Sequence, residues 1–138
     1  MSEFVHAGGC LCGEVRYGIR SRALQTTLCH CEDCRRASGA PVVAWTFFAA
    51  GSLVWTKGIP KLVRHADRER TFCGDCGSPL TFYDPSISEF FEANTNSLDD
   101  AKSQQPADQC WLCDALPWTA AMQSLPRYEQ AAPLPEKE

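Results

Sequence analysis

The sequence predicts an all-β fold: a single domain of short strands, stapled by zinc. Runs rich in β-branched and aromatic residues recur at the close, regular spacing of an all-β chain. Nine cysteines stand in only 138 residues, grouped as Cys10/Cys12, Cys29/Cys31/Cys34, Cys73/Cys76 and Cys110/Cys113. Glycines flank two of those groups, giving the backbone the freedom to curl around an ion.

Residues 4–20 read as a strand pair around Gly8-Gly9-Cys10-Leu11-Cys12-Gly13, with Val15, Tyr17 and Ile19 alternating on the return. Residues 24–29 form a short strand that delivers Cys29. Residues 33–38 make about a turn of helix, stopped by Gly39 and Pro41. Residues 42–48 (Val-Val-Ala-Trp-Thr-Phe-Phe) have the composition of a buried strand, and 53–56, 61–65 and 69–72 follow as shorter ones. Cys73-Gly74-Asp75-Cys76-Gly77 is a tight knuckle. Residues 79–83 and 90–94 supply two more strands, and 96–106 a polar loop. Trp111, Leu116, Trp118, Met122 and Leu125 should pack residues 111–128 back on the sheet. Residues 1–130 are thus one zinc-binding β domain, and 131–138 a loose tail.

A chain of this length buries roughly two thirds of its unfolded surface, so metal is not needed merely to compensate for smallness. Hydrophobic content of 44% and charged content of 22% are ordinary for a globular protein. The first residues lack a basic and apolar leader, and the longest apolar run, 42–50, is broken by Thr46 and too short to span a bilayer. A cytoplasmic location without membrane contact is the expectation. In that reducing setting, an odd number of densely placed cysteines points to metal or catalysis rather than disulfides. The formal charge of −4 would fall to about −7 with seven thiolates and two bound Zn²⁺, a balance that disfavours nucleic acid. The basic-leaning stretch 61–70 is interrupted by Asp67 and Glu69 and reads as a solvated strand pair.

Zinc prefers four tetrahedral ligands. Joining Cys10/Cys12 to Cys73/Cys76 makes a closed four-thiolate site that staples the first strands to the middle of the chain. Cys29, Cys31 and Cys34 are then three ligands from one short segment, leaving a fourth position open for an incoming thiol, as catalytic zinc requires. The competing pairing sets Cys31/Cys34 with Cys73/Cys76 as a zinc ribbon and leaves Cys10, Cys12 and Cys29 without a role. Cys110 and Cys113, at i and i+3, would face opposite sides of a strand and read as buried small hydrophobes, with Cys110 as fourth ligand to the open site the sharper alternative. His30 reads as a supporting or exposed histidine rather than a ligand. His6 and His65 have no partner pattern. Arg35 and Arg36 either compensate thiolate charge or hold a substrate carboxylate.

Gly9-Cys10-Leu11-Cys12-Gly13-Glu14-Val15-Arg16-Tyr17, Cys29-His30-Cys31-x-x-Cys34-Arg35-Arg36-Ala37-Ser38-Gly39-Ala40 and Phe72-Cys73-x-x-Cys76-Gly77-Ser78-Pro79-Leu80 together resemble the glutathione-dependent formaldehyde-activating enzyme (centromere protein V) family. Ser97-Leu98-Asp99-Asp100, Leu116-Pro117-Trp118 and Leu125-Pro126-Arg127-Tyr128 extend the likeness over residues 5–128. The resemblance implies an Mss-four-like fold, a compact single domain of several short coiled antiparallel sheets, and two zinc ions. Cys10, Cys12, Cys73 and Cys76 would hold the structural ion, and Cys29, Cys31 and Cys34 the catalytic one. It further implies a carbon–sulfur lyase that joins glutathione, or a similar small thiol, to formaldehyde or another small aldehyde. The rival function is a non-catalytic, zinc-stabilised binding module.

Overall fold

A computed structural model describes residues 3–137. Strands β1 (His6–Gly9), β2 (Arg16–Ile19) and β5 (Leu53–Lys57) form an antiparallel sheet in the order β1-β2-β5. Strands β3 (Gln25–Cys29), β4 (Val43–Ala49), β6 (Lys61–His65), β7 (Arg68–Phe72), β8 (Pro79–Tyr83), β9 (Phe90–Asn94) and β10 (Asp108–Cys110) form a larger one. Its order is β10-β3-β4-β9-β8-β7-β6. One short helix, α1 (Glu32–Ser38), follows β3. The fold is mostly β, as the strand spacing requires.

Alternation along the strands divides the larger sheet into two working faces. One face turns Phe48, Leu80, Phe91 and Ala93 toward Val15, Tyr17 and Ile19 of the small-sheet segment, and these residues make the main core. Phe48 stacks on Phe91 at 5.6 Å and meets the His6 ring edge-on. Buried hydroxyls on this face satisfy one another: Thr46 bonds Thr26 at 2.8 Å and Thr95 at 2.9 Å. The opposite face carries a smaller cluster of Cys29, Cys34, Val43 and Trp45. That second face holds the site described below.

Ser97-Leu98-Asp99-Asp100 anchors the small sheet. Ser97 bonds the Tyr17 hydroxyl, Leu98 is buried in the core, and Asp99 grips Arg16 through both guanidinium nitrogens. Asp100 accepts from His6 at 3.0 Å. The Ala23 amide donates to the other nitrogen of that ring, so the proton toward Asp100 sits on Nδ1. His6 therefore has partners that its sequence context did not announce. Gly8 lies where this segment crosses β1; an added Cβ would collide with the Ser97 carbonyl oxygen.

Three expectations need correction. Strand β10 has no sequence signal, and it pairs parallel to β3, placing Cys110 opposite Cys29 in an otherwise antiparallel pattern. Residues 96–106 contain a 3₁₀ turn, Ala101–Ser103, rather than only loop. Residues 111–128 do not pack back on the sheet: Trp118 is 54% exposed, and the 3₁₀ segment Pro117–Ser124 buries no residue. The left-handed backbone at Trp111 (φ 56°) and Pro117 break the run into short turns, so its apolar residues cannot share one α-helical face. Residues 131–137 are exposed and carry no regular structure, while Glu138 lies outside the described residues.

The β6–β7 hairpin closes through Ala66 and Asp67, both left-handed (φ 49° and 61°), a conformation that costs a non-glycine residue roughly 1–2 kcal/mol. Replacing the pair by Asn-Gly should relieve about 1 kcal/mol or more and raise the thermal midpoint by several degrees. An unchanged or lower midpoint in a melting experiment would contradict this reading of the turn.

Candidate metal centre and adjoining pocket

Cysteines 10, 12, 73 and 76 converge, with their four sulfur atoms all within 4.8 Å of one another. Cys10 Sγ lies 3.6 Å from Cys12 Sγ, which lies 3.8 Å from Cys73 Sγ. Tetrahedral zinc with Zn–S bonds near 2.3 Å spaces its sulfurs about 3.8 Å apart, so this donor set fits such an ion. The backbone is shaped to the same end. The Cys73 carbonyl accepts from the Gly77 amide at 2.8 Å, closing the knuckle, and amides of Val15 and Asp75 point at the sulfurs of Cys10 and Cys73. Ser78 joins the two halves, accepting from the Leu11 amide at 2.9 Å while its hydroxyl meets Cys76 Sγ at 3.2 Å. That hydroxyl holds the Cys76 thiol down at about 5.

Cysteines 29, 31 and 34 form a separate group under the same distance limit, and Cys110 lies outside it. The grouping departs from the zinc-ribbon alternative, because Cys31/Cys34 and Cys73/Cys76 fall in different clusters. Cys29 ends β3, Cys31 caps α1 by accepting from the Cys34 amide at 3.2 Å, and Cys34 follows one turn later on the same face. Glu32 and Asp33 suit the helix start, and Gly39 at φ 66° ends it. Contacts from Cys29 and Cys31, with Arg70 Nη2 donating at 3.7 Å, hold the Cys34 thiol down at about 5. The same sharing, led by Cys34, pushes Cys29 up, and burial raises Cys31.

A cavity of about 670 Å³ opens over these three thiols. Its floor is the second face of the larger sheet. Trp45 and Phe47 of β4, Phe82 of β8 and Phe90 and Glu92 of β9 supply apolar walls and one carboxyl, while Arg68 and Arg70 of β7 supply positive charge. The Arg70 guanidinium lies 4.8 Å over the Phe82 ring as it reaches Cys34. Arg68 pairs with Asp84 at 3.5 Å, and hydrogen bonds from Ser86 hold the Asp84 carboxyl below the usual range. Glu92 stands between Phe47 and Phe82 in the cross-strand register. Burial, followed by the negative charge of Cys34, pushes its carboxyl up to about 7, and Arg70 partly offsets this.

His30 is buried outside the thiol group and meets Gln109 Oε1 at 2.9 Å, a supporting role. Its amide donates to the Cys110 carbonyl, and Asp114 accepts from the Glu32 amide, so the β10 region braces the three-thiol segment. Arg36 pairs with Glu32, and Arg35 donates to the His30 carbonyl; neither lines the cavity. The arginines that line it are Arg68 and Arg70, from the stretch read as merely solvated, and exposed His65 stands at the wall beside them. Cys110 packs beside the small cluster and lines the cavity, but Cys113 is exposed, because its segment turns outward instead of continuing the strand. Glu92 was not anticipated. Its signal was a lone acid amid Phe90-Phe91-Glu92-Ala93-Asn94, where alternation sets Phe91 and Ala93 into the core and Glu92 on the other face.

Residues 5–114 match a family described as glutathione-dependent formaldehyde-activating enzyme. An uncharacterised lyase of Schizosaccharomyces pombe is 29% identical over 77 residues, 56% of each chain, so this chain spans little more than half the length of that relative. A crystal structure of a Rhodobacter sphaeroides protein shares the fold with a TM-score of 0.63 at 19% identity, covering 75% of this chain and 99% of that one. No helix among the described residues is long and apolar enough to cross a membrane.

Glu92 gives the pocket a measurable signature. Its folded value of about 7 lies above the unfolded glutamate value, so the stability it contributes is whole at low pH and is lost as pH rises toward 7. Glu92→Gln removes that dependence. The melting midpoint of the variant relative to the parent should therefore rise between about pH 4 and pH 7.5. A difference that stays constant across that range, measured by calorimetry, would contradict the burial of this carboxyl.

Proposed function

The chain belongs to the glutathione-dependent formaldehyde-activating enzyme family, and from that premise we propose that it is a carbon–sulfur lyase-type enzyme. It binds glutathione or a similar thiol at Cys29, Cys31 and Cys34 and promotes reversible formation of the thiol's adduct with a small aldehyde. Cys10, Cys12, Cys73 and Cys76 hold a structural zinc, and the trio holds a second, catalytic one. The observation that carries the reading is the contrast between the two sulfur groups. Four thiols close on one another in the first, whereas three thiols with no fourth cysteine in their cluster line a cavity in the second. The lyase name of the Schizosaccharomyces pombe relative supports the reaction class.

Zinc bound by the trio supplies Lewis acidity and a means of keeping an incoming thiol ionised at neutral pH. The chain's own residues do the rest. Cys34 and Arg70 share charge at the cavity floor, so a second sulfur anion entering there meets a guanidinium as well as thiolates. Trp45, Phe47, Phe82 and Phe90 displace water from the reacting atoms, which strengthens every polar contact inside. Arg68 offers positive charge, and His65 its ring nitrogens, to a thiol that carries carboxylates, as glutathione does. Holding thiol and aldehyde in one walled space replaces a bimolecular encounter with a local one, and proximity is the main gain.

The reading is tested by following exchange between glutathione, formaldehyde and S-hydroxymethylglutathione by NMR with zinc-loaded protein. The parent should accelerate exchange about tenfold or more over buffer, and Cys31→Ser should return it to the buffer rate. Equal rates in parent, variant and buffer would remove the enzyme reading. Thiol binding by the parent without any acceleration would leave a binding module.

A further inference from the structure

A cross-strand row runs over the cavity floor from Phe47 through Glu92 and Phe82 to Arg70. Phe82 lies between the two charged residues in that row, and the Arg70 guanidinium is spent on the Phe82 ring and on Cys34. The Glu92 side chain consequently makes no ion pair or hydrogen bond among the described residues. The other acids around the cavity are engaged or open to solvent. Asp84 accepts from the Ser86 hydroxyl at 2.7 Å and pairs with Arg68. Glu32 pairs with Arg36 at 3.0 Å, Asp114 accepts from the Glu32 amide, and Asp33 is exposed. A carboxyl shielded between two phenylalanines, facing a cavity and without a partner, is destabilised in its charged form and is stabilised by any ligand that brings it a proton or a donor.

We propose that Glu92 is the proton-transfer residue of the carbon–sulfur step, acting on the hydroxyl of the thiol–aldehyde adduct. The proposal rests on the lyase reading above. In the cleavage direction the Glu92 carboxylate takes the hydroxyl proton of R–S–CH₂–OH. The O–H pair becomes the second bond of the aldehyde carbonyl, the C–S bond breaks, and its electron pair leaves on sulfur. Glu92 then returns its proton to the thiolate, directly or through a water, so the adduct gives thiol and aldehyde with no change of oxidation state. Addition runs the same path backward, with protonated Glu92 donating to the developing alkoxide.

Burial acts most strongly on the Glu92 carboxyl, Cys34 on α1 and Asp84 after β8 push it the same way, and Arg70 on β7 opposes them. A divalent ion among three thiolates still leaves that group net negative, so the direction of the Cys34 effect survives metal binding. A carboxyl poised there can both accept and donate at neutral pH.

The test uses zinc-loaded protein and the same exchange measurement, with binding of S-methylglutathione, which lacks the hydroxyl, followed by calorimetry. Glu92→Gln should slow exchange on the order of 100-fold while S-methylglutathione binds within about twofold of the parent. Glu92→Ala should be slow as well and recover with added formate, which replaces the missing carboxyl and which no purely structural defect would answer. Exchange by Glu92→Gln within about threefold of the parent would overturn the proposal. So would a matching loss of S-methylglutathione binding, or a slow Glu92→Ala that formate does not restore. A parent no faster than Cys31→Ser would instead sink the lyase reading, and this role with it. An active parent beside an undiminished Glu92→Gln sinks this role alone.

Discussion

Sulfur atoms from segments 61 residues apart sit 3.8 Å from one another at Cys12 and Cys73, and hydrophobic burial does not explain why. Cys12 is exposed, and S–H groups make only weak hydrogen bonds with each other. An ion taking all four as thiolates would repay the convergence, at a scale of about 10–16 kcal/mol for a structural zinc site. The remainder of the fold hangs on that junction. It ties the β1–β2 turn to the β7–β8 knuckle, which brings Val15, Tyr17 and Ile19 over Phe48, Leu80 and Phe91 to close the core. Ser97 to Asp100 then lock the small sheet from its other side.

With one face of the larger sheet committed to that core, the other is free to be chemical. Period-two alternation sends Trp45, Phe47, Phe82, Phe90 and Glu92 to the cavity, while Thr46, Phe48, Phe91 and Ala93 face the core. The three-thiol segment enters from the end of β3 and is braced by β10 through Gln109 and Cys110. Site and core are thus two sides of the same strands, and a change at a floor residue is felt one position away in the packing.

Much of this was legible in the sequence. The strands at 79–83 and 90–94 fall where aromatic and β-branched runs end at turn residues, and the helix stops at Gly39, which adopts the left-handed conformation. The cysteine groups were legible because metal-ligand spacing is local. What was hidden depends on pairing across the sheet. Arg68 and Arg70 looked like surface charge until β8 and β9 came alongside and made their face a cavity wall. Glu92 was lost in an apolar strand, because only register shows that its neighbours are Phe47 and Phe82. Strand β10 gave no signal because three residues carry no period, and the apolar residues after 110 suggested packing that Pro117 and Trp111 forbid.

The central claim is that sulfur is divided four and three between separate ions. Zinc-edge X-ray absorption on quantitatively loaded protein, with total zinc measured alongside, tests it most directly. The account predicts about two zinc ions per chain and an average near 3.5 sulfurs per zinc, the balance being a lighter atom at the trio. About one zinc per chain with a full shell of four sulfurs would contradict it.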